Sequence, residues 1–205
     1  MKLFDSYRAP NPRRVRWFLA EKQIEDIEIV SIDVFKGEHK SPDYVARAGL
    51  ANVPALELDD GTMITESIAI CRYIESVYPE PNMFGRNARE IAVIEMWTRR
   101  AELLLANPLM TAVRHTHPAL AALDTQVPAI AEASSATANH ALRFFDRQLG
   151  ETAFIAGDRI TMADIVACTA LDFARMIKFS LPDECRDAVR WAEAMRGRPA
   201  ASAGI

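Results

Sequence analysis

The sequence predicts a small α/β domain followed by an all-helical domain, and three observations support this prediction. Strand and helix patterns alternate over residues 1–78, whereas only helical spacing remains after residue 87. Between the two parts, PEPNMFGRN (79–87) has the proline, glycine and asparagine content of a linker. Neither half contains an internal repeat or a low-complexity segment. The predicted domains are therefore 1–78 and 88–205.

Apolar spacing in the first domain predicts the element order β-α-β-α-β-β-α. KLFDS is a short strand, and the helix after it carries Val15, Phe18 and Leu19 on one face. A second strand is predicted from Ile27 to Val34, and the polar connection that follows contains one short helix around Tyr44. A strand-helix-strand unit followed by a hairpin indicates a mixed sheet covered by helices.

The hairpin comes from the segment NVPALELDDGTMITES, in which two strands flank an Asp-Asp-Gly turn. The strands are Ala55–Leu58 and Thr62–Ile64. Pro54 stands at the entrance of the first strand, and because it has no N–H to donate it must lie at a strand end or edge. Glu66 and Ser67 follow the hairpin directly and open an apolar helix.

Helical spacing recurs in the second domain over residues 88–113, 124–149, 161–178 and 183–196. The sharpest local signal is FIAGDRITMADIVA, where Asp164 stands three residues after Thr161. This spacing predicts a capping box at the start of a buried helix. We therefore interpret Asp164 as a structural carboxylate and not as a catalytic one.

Composition excludes several classes of partner. A net charge of −4 and a pI near 5.6 give no reason to expect nucleic acid or an anionic membrane. The N-terminus lacks the apolar core of a signal peptide, and no apolar run approaches the roughly 20 residues of a membrane span. Cys71, Cys168 and Cys185 are far apart, which argues against a disulfide framework or a zinc ribbon and favours the reducing cytosol. His115 and His117 have no nearby ligand partner, so no metal is expected.

Four segments together resemble the cytosolic glutathione S-transferase family over nearly the full length of the chain. They are APNPRRVRWFLAEK, ANVPALELDDGTMITESIAICRYI, YPEPNMFG and FIAGDRITMADI. The resemblance implies a thioredoxin-like first domain that binds glutathione and an all-helical second domain that lines a hydrophobic substrate site. It also implies a cytoplasmic homodimer with glutathione as co-substrate.

The resemblance further implies that the peptide bond before Pro54 is cis. Such a turn leaves the backbone N–H and C=O of Val53 unpaired by the sheet, and there the cysteinyl unit of glutathione docks like an added antiparallel strand. Asn52 stands where this family often has a polar side chain that reaches the ligand. His39 and Lys40 match a stretch in which a His or Lys contacts the glycyl carboxylate.

Glu66 and Ser67 are predicted to bind the γ-glutamyl group. The free N–H groups and the dipole of a helix N-terminus attract an anion, so the hydroxyl and N–H of Ser67 suit the carboxylate. Glu66 suits the ammonium group on the same carbon. The alternative is that Thr65, Glu66 and Ser67 only cap the helix.

The group that activates the thiol departs from the family pattern. The chemistry needs a thiolate, whereas a free thiol has a pKa of about 8.5. Ala9 stands where many members have Ser, Thr or Cys. Asn11 lies at the helix N-terminus and is the first replacement, although its side chain is equally suited to capping. Tyr7 and Ser6 are alternatives with an O–H group, and backbone N–H groups alone are the fourth.

The predicted activity is conjugation of the glutathione thiolate to small hydrophobic electrophiles. A glutathione-dependent isomerase or peroxidase that uses the same site is one alternative. A non-catalytic glutathione-binding interaction module is another, because binding can persist where Ala9 has removed the activating group. Arg13, Arg14 and Arg16 are expected to supply surface charge, with the dimer contact as a further use.

Overall fold

The computed structural model describes residues 1–123 and 125–205. Their contacts divide the chain into two compact units, one of Met1–Asn82 with Pro199–Ile205 and one of Met83–Arg198. The first unit contains a β-sheet, and the named elements of the second are all helices. Within the described ranges, no helix is long and apolar enough to cross a membrane.

The first unit is built on a four-stranded mixed sheet with the strand order β2-β1-β3-β4. Its strands are β1 (Lys2–Asp5), β2 (Glu28–Ser31), β3 (Ala55–Glu57) and β4 (Met63–Thr65). Strand β2 is parallel to β1, whereas β3 is antiparallel to both β1 and β4. This is a thioredoxin-like sheet, so the predicted fold class is confirmed for the first half of the chain.

Strand β2 is shorter than the predicted strand Ile27–Val34 because the chain turns at Asp33. The N–H of Ile32 still donates to the carbonyl of Asp5 at 2.7 Å. The Asp33 carboxylate then accepts from the backbone N–H groups two and three residues further on, at 3.0 and 3.1 Å. An aspartate that bonds to the backbone ahead of it in this way stabilises a turn, and the strand ends there.

Three helices cover the sheet, namely α1 (Pro10–Glu21), α2 (Pro42–Ala48) and α3 (Ser67–Val77), with a 3-10 turn at Glu38–Lys40. Helix α1 buries Val15, Phe18 and Leu19, which confirms the predicted inner face. Helix α2 begins after Ser41, whose hydroxyl accepts from the N–H of Tyr44 at 3.3 Å. These elements place the starts of α1 and α3 next to the strand ends that they follow.

The arginines of α1 are not the surface charges that the sequence led us to expect. Arg13 and Arg14 are both buried, and Arg16 forms an ion pair with the buried carboxylate of Asp5 at 3.2 Å. Helical geometry explains the burial of Arg14, because it lies one turn before Phe18 and therefore on the same inner face.

Residues 199–205 pack against α1, although the sequence placed them in the all-helical domain. The carbonyl of Ala201 accepts from Nη2 of Arg13 at 2.9 Å. The carbonyl of Gly204 accepts from the N–H of Arg8 at 3.3 Å. These contacts join segments nearly 200 residues apart in sequence, which no local pattern predicts.

The second unit consists of α4 (Ala88–Arg100), α5 (Asn107–Arg114), α6 (Pro128–Glu151), α7 (Met162–Ala174) and α8 (Arg186–Arg196). A π-helix over Ala101–Ala106 joins α4 to α5. Pro108 accounts for the wider turn, because its ring cannot donate to the carbonyl of Leu104 and crowds it. The segment predicted from residue 124 becomes α6, and residue 124 itself lies outside the described residues. The all-helical prediction for this half is confirmed.

Asp164 is the structural carboxylate that the sequence predicts. It closes a capping box at the start of α7, where its Oδ2 accepts from the N–H and the hydroxyl of Thr161 at 2.9 Å each. Its Oδ1 accepts from the N–H of Ile155 and from Nε1 of Trp191, also at 2.9 Å each. Burial raises the pKa of Asp164, and these hydrogen bonds oppose the rise.

Candidate functional site

Three segments of the first unit meet at one end of the sheet. The register places Phe4 beside Ala55 and Ala55 beside Thr65. The end of β1, the start of β3 and the end of β4 are therefore neighbours. The segments beyond these positions carry most of the candidate residues, which are Ser6, Tyr7, Ala9, Asn11, Asn52, Val53, Glu66 and Ser67.

The turn before β3 is held by Tyr44. The bond between Val53 and Pro54 is cis, as expected. The Tyr44 hydroxyl donates to the carbonyl of Asn52 at 2.6 Å. Its ring packs edge-on against Phe4, with the ring centroids 5.8 Å apart, and the Val53 side chain packs on the same cluster. Burial raises the pKa of Tyr44, so its hydroxyl remains a donor at neutral pH.

Val53 presents a backbone edge that the sheet does not use. No backbone hydrogen bond joins its N–H or its C=O to any residue that the structure describes. Pro54 lacks an N–H, so the paired part of β3 starts at Ala55. One residue that offers both a donor and an acceptor is what an extended peptide needs for antiparallel pairing.

Glu66 adopts a strained backbone conformation at the start of α3. Its φ of 68° and ψ of 116° lie in a region that non-glycine residues rarely occupy, at a cost of order 1–3 kcal/mol. Glu66 is the residue before the first helical turn, yet its exposed side chain makes no capping hydrogen bond. Glu66 therefore holds the N-cap position of α3 without a side-chain cap, and among the described residues the first turn keeps N–H groups for another partner.

Ser67 is the first residue of α3, and the guanidinium of Arg14 lies next to its side chain. Nη1 of Arg14 donates to Oγ of Ser67 at 3.4 Å, and both side chains are buried. The positive charge of Arg14 adds to the positive end of the α3 dipole. The start of α3 therefore favours an anion.

Helix α1 begins at Pro10, and Ala9 is its N-cap, with φ −71° and ψ 135° and no side-chain capping bond. Asn11 is the second helical residue, so the interpretation of Asn11 as the N-cap is wrong. Pro10 and Pro12 have no N–H groups. Among the first three helical positions, Asn11 therefore supplies the backbone donor as well as a side-chain amide.

The candidates for activating the thiol differ in their surroundings. Oδ1 of Asn11 is buried and has no hydrogen-bond partner among the described residues. Tyr7 is 61% exposed, and the guanidinium of Arg8 lies 5.2 Å from its ring centroid. Ser6 is buried, and its carbonyl accepts from the N–H of Ala9 at 3.1 Å. Asn11 and Tyr7 stay candidates, whereas burial is unfavourable for Ser6.

His39 lies in the 3-10 turn that follows β2, next to the exposed Lys40. Its Nδ1 is buried and lacks a partner within the described ranges. Burial and the charge of Lys40 lower the pKa of His39, so the neutral imidazole dominates at pH 7. The described contacts do not join His39 to the hairpin candidates.

The cysteines and the histidine pair have ordinary structural environments. All three cysteines are buried and unbridged, and burial raises the pKa of the Cys71 and Cys185 thiols. His115 and His117 each accept a backbone N–H on Nδ1, at 3.2 and 3.3 Å. In the part of the chain that the structure describes, no group of three or more His, Cys, Asp or Glu residues could hold a metal ion.

Sequence reasoning missed two residues of this edge, Tyr44 and Arg14. Tyr44 was recognised only as the centre of a short helix, because its bond to Asn52 depends on how the connection folds back. The burial of Arg14 could have been predicted from the sequence. It precedes Phe18 by one helical turn, and an arginine on an inner face indicates a buried partner.

Comparison with known proteins identifies the family. The model of the glutathione S-transferase N-terminal domain matches residues 9–77, and that of the C-terminal domain matches residues 105–199. Glutathione S-transferase 2 from Saccharomyces cerevisiae is 37% identical and aligns over 97% of this chain and 87% of its own length. The chain therefore belongs to the glutathione S-transferase family of enzymes.

Solved structures share the fold. Gtt2 from Saccharomyces cerevisiae has a TM-score of 0.92 and 36% identity, with 100% of both chains covered. A glutathione S-transferase domain-containing protein from Marinobacter aquaeolei has a TM-score of 0.94 and 37% identity, over 98% of this chain and 100% of its own.

A further sequence relative matches only part of the chain. Maleylacetoacetate isomerase from Pseudomonas aeruginosa is 37% identical over 99 residues, which is 45% of this chain and 46% of its own length.

Proposed function

We propose that this chain conjugates the thiolate of glutathione to small hydrophobic electrophiles. The observation that carries the proposal is the unused N–H and C=O of Val53, at the same end of the sheet as the uncapped first turn of α3. A short peptide with an anionic group at one end satisfies both features at once. Membership of the glutathione S-transferase family supports glutathione as that peptide.

Each part of glutathione has a complementary group in this assignment. The cysteinyl backbone pairs with Val53. The γ-glutamyl carboxylate accepts from the hydroxyl and N–H of Ser67, and the ammonium group on the same carbon donates to Glu66. His39 contacts the glycyl carboxylate, and Asn52 adds a polar side chain to the bound peptide. No metal is needed for this chemistry.

Asn11 is the proposed group that stabilises the thiolate. Its side-chain NH₂ donates to the sulfur, and the N-terminus of α1 adds a positive partial charge. Both interactions favour the charged form and lower the pKa of the bound thiol. The sulfur then forms a bond to the electrophilic carbon, and the leaving group departs with the electron pair of the broken bond. Tyr7 is the competing donor.

A glutathione-dependent cis–trans isomerase is the second candidate function. The similarity to maleylacetoacetate isomerase over 99 residues favours it. In that reaction the thiolate adds to a cis double bond, the resulting single bond rotates, and the thiolate is expelled again. The same thiolate site serves both reactions.

We further propose that the chain forms a homodimer that acts in the cytoplasm, with detoxification of electrophiles as its role.

The test combines binding with turnover. Calorimetry should show glutathione binding, and the purified chain should conjugate 1-chloro-2,4-dinitrobenzene with release of chloride. Isomerisation of maleylacetoacetate without conjugation would favour the second candidate. Binding without either reaction would leave a glutathione-binding interaction module, and no binding would overturn the proposal.

A further inference from the structure

Arg14 is a charged side chain in the interior of the first unit. It is only 2% exposed and lies on the face of α1 that also buries Phe18. Burial of a guanidinium is unfavourable unless hydrogen bonds and a fixed geometry compensate for the lost water. A buried arginine at a helix interface therefore indicates a defined partner, and the described contacts include Ser67 as one.

Helices α1 and α3 pack side by side, and two polar contacts join them. Arg14 contacts Ser67 at their N-terminal ends, and Lys22 pairs with Glu75 at 2.7 Å near their C-terminal ends. The two helices therefore run parallel. Arg14 is placed where the first turn of α3 starts, which is also the end of the sheet that carries Val53.

The contact with Arg14 determines how the Ser67 hydroxyl is used. A guanidinium has only donors, so the hydroxyl meets it with an oxygen lone pair and directs its own proton elsewhere. Inside a helix that proton usually goes to a carbonyl one turn earlier, but Ser67 is the first helical residue and has no such turn. Among the described residues the hydroxyl has no acceptor.

We propose that Arg14 is a positioning residue that orients the Ser67 hydroxyl as a donor and thereby favours a carboxylate over an ammonium or neutral group at the start of α3. The inference rests on the proposed function, in which Ser67 meets the γ-glutamyl carboxylate of glutathione. An ammonium group can only donate, so it cannot use the proton that the hydroxyl offers, and one of the two lone pairs that could accept from it already faces Arg14. The positive charge of Arg14 acts in the same direction.

Three peptides separate this role from general support of the fold. Glutathione carries both charges on the γ-glutamyl α-carbon, glutaryl-Cys-Gly keeps only the carboxylate, and 4-aminobutyryl-Cys-Gly keeps only the ammonium. In Arg14→Met, the dissociation constants for the two carboxylate peptides should rise by about tenfold, as for loss of a charge-assisted contact. The constant for 4-aminobutyryl-Cys-Gly should stay the same or fall, because this peptide has no γ-glutamyl carboxylate and the variant removes a positive charge from beside its ammonium group.

Arg13→Met is the matched control, because Arg13 is the adjacent buried arginine and its guanidinium donates to Ala201 instead. Arg13→Met should lower the melting temperature and leave the ratio of the three dissociation constants unchanged. If Arg14→Met does not fold, Arg14→Gln also removes the charge but keeps a polar head group. The same change in the ratio is expected for it.

A second comparison uses Ser67→Ala. Because Arg14 is proposed to act through the Ser67 hydroxyl, Arg14→Met should weaken glutathione binding much less in the Ser67→Ala background than in the wild type. Equal losses for all three peptides, or full additivity with Ser67→Ala, would overturn the inference. Failure of the wild type to bind glutathione would instead overturn the proposed function, so the two failures are distinguishable.

Discussion

The phenol of Tyr44 donates a hydrogen bond of 2.6 Å to the carbonyl of Asn52, and this bond joins α2 to the turn that presents Val53. In Tyr44→Phe the ring and its packing on Phe4 remain, and only the hydrogen bond is lost. We expect the free energy of unfolding to fall by about 0.5–1.5 kcal/mol. Glutathione affinity should fall as well, because Val53 loses its fixed position.

Tyr78→Phe is the control for this change. Tyr78 also donates a hydrogen bond of 2.6 Å, to Asp26, but on an exposed part of the first unit. Calorimetric titration of both variants with glutathione measures the difference. Equal affinities for Tyr44→Phe and wild type would show that the Tyr44 bond does not position the binding turn.

Asn11→Ala tests the proposed thiolate donor. If the Asn11 amide and the start of α1 stabilise the anion, the bound thiol has a pKa below its free value of about 8.5. The thiolate then persists as the pH falls below 8.5 and is lost only through the lower, bound pKa. Asn11→Ala should move the titration upward and lower kcat, with a much smaller change in glutathione affinity. Ultraviolet thiolate absorbance of the complex measures the titration.

Tyr7→Phe tests the competing donor under the same conditions. The ring stays and only the O–H is lost, so no change in the titration is expected if Asn11 is the donor. A shift in Tyr7→Phe with none in Asn11→Ala would assign the role to Tyr7. A wild-type complex without any depression of the thiol pKa would argue against catalysis and for a binding module.

His39 predicts a pH dependence of glutathione affinity. Burial, together with the charge of Lys40, keeps the pKa of His39 low in the free protein. A glycyl carboxylate beside it favours the imidazolium, so the pKa is higher in the complex. Affinity should therefore rise as pH falls through the pKa of the complex, and level off below the pKa of the free protein. The peptide carboxylate itself stays ionised above about pH 4.

His39→Gln should remove this rise, as measured by titration calorimetry between pH 7.5 and 5.5. His140→Gln is the control, because His140 is an exposed histidine on α6. If affinity rises equally in both variants on acidification, His39 does not contact the carboxylate.

Lys22 predicts a large effect on stability. Its ammonium group has no exposed surface, donates to the carbonyls of Tyr78 and Pro81 at 2.7 and 2.8 Å, and pairs with Glu75 at 2.7 Å. Lys22→Met removes this cation from beside the buried Glu75 carboxylate and takes the ammonium donor away from the two carbonyls. We expect the free energy of unfolding to fall by about 3–5 kcal/mol.

Denaturant titration measures this loss, and Lys36→Met is the control. Lys36 forms an exposed ion pair with Asp33, so its removal should hardly change the midpoint. A loss for Lys22→Met no larger than for Lys36→Met would contradict the prediction.

The order of elements was predictable because it depends on local patterns. Periodic apolar positions such as Val15 and Phe18 define α1 without knowledge of the rest of the chain. Pro54 marks a strand entrance for a similar reason, since the missing N–H is a property of the residue itself. The same holds for the capping box of α7, because its two residues, Thr161 and Asp164, are only three positions apart in the sequence.

The remaining features depend on contacts between distant segments. The burial of Arg13 is not readable from its local pattern, because Ala201, which accepts from its guanidinium, belongs to a segment that folds back from the far end of the chain. The bond of Tyr44 to Asn52 and the position of Ser67 beside Arg14 are tertiary in the same sense. The short extent of β2 has a local cause, because the turn at Asp33 competes with the strand pattern of Ile27–Val34.

The parallel packing of α1 and α3 has a mechanical consequence for the ligand site. Arg14 and Lys22 are eight residues apart, as are Ser67 and Glu75, so their two contacts lie about 12 Å apart along the helix axes. A slide of α3 by one turn, about 5.4 Å, would break both contacts at once. The buried ion pair between Lys22 and Glu75 therefore restricts sliding of α3 along α1, and in this way it fixes the position of Ser67 along the helix axis.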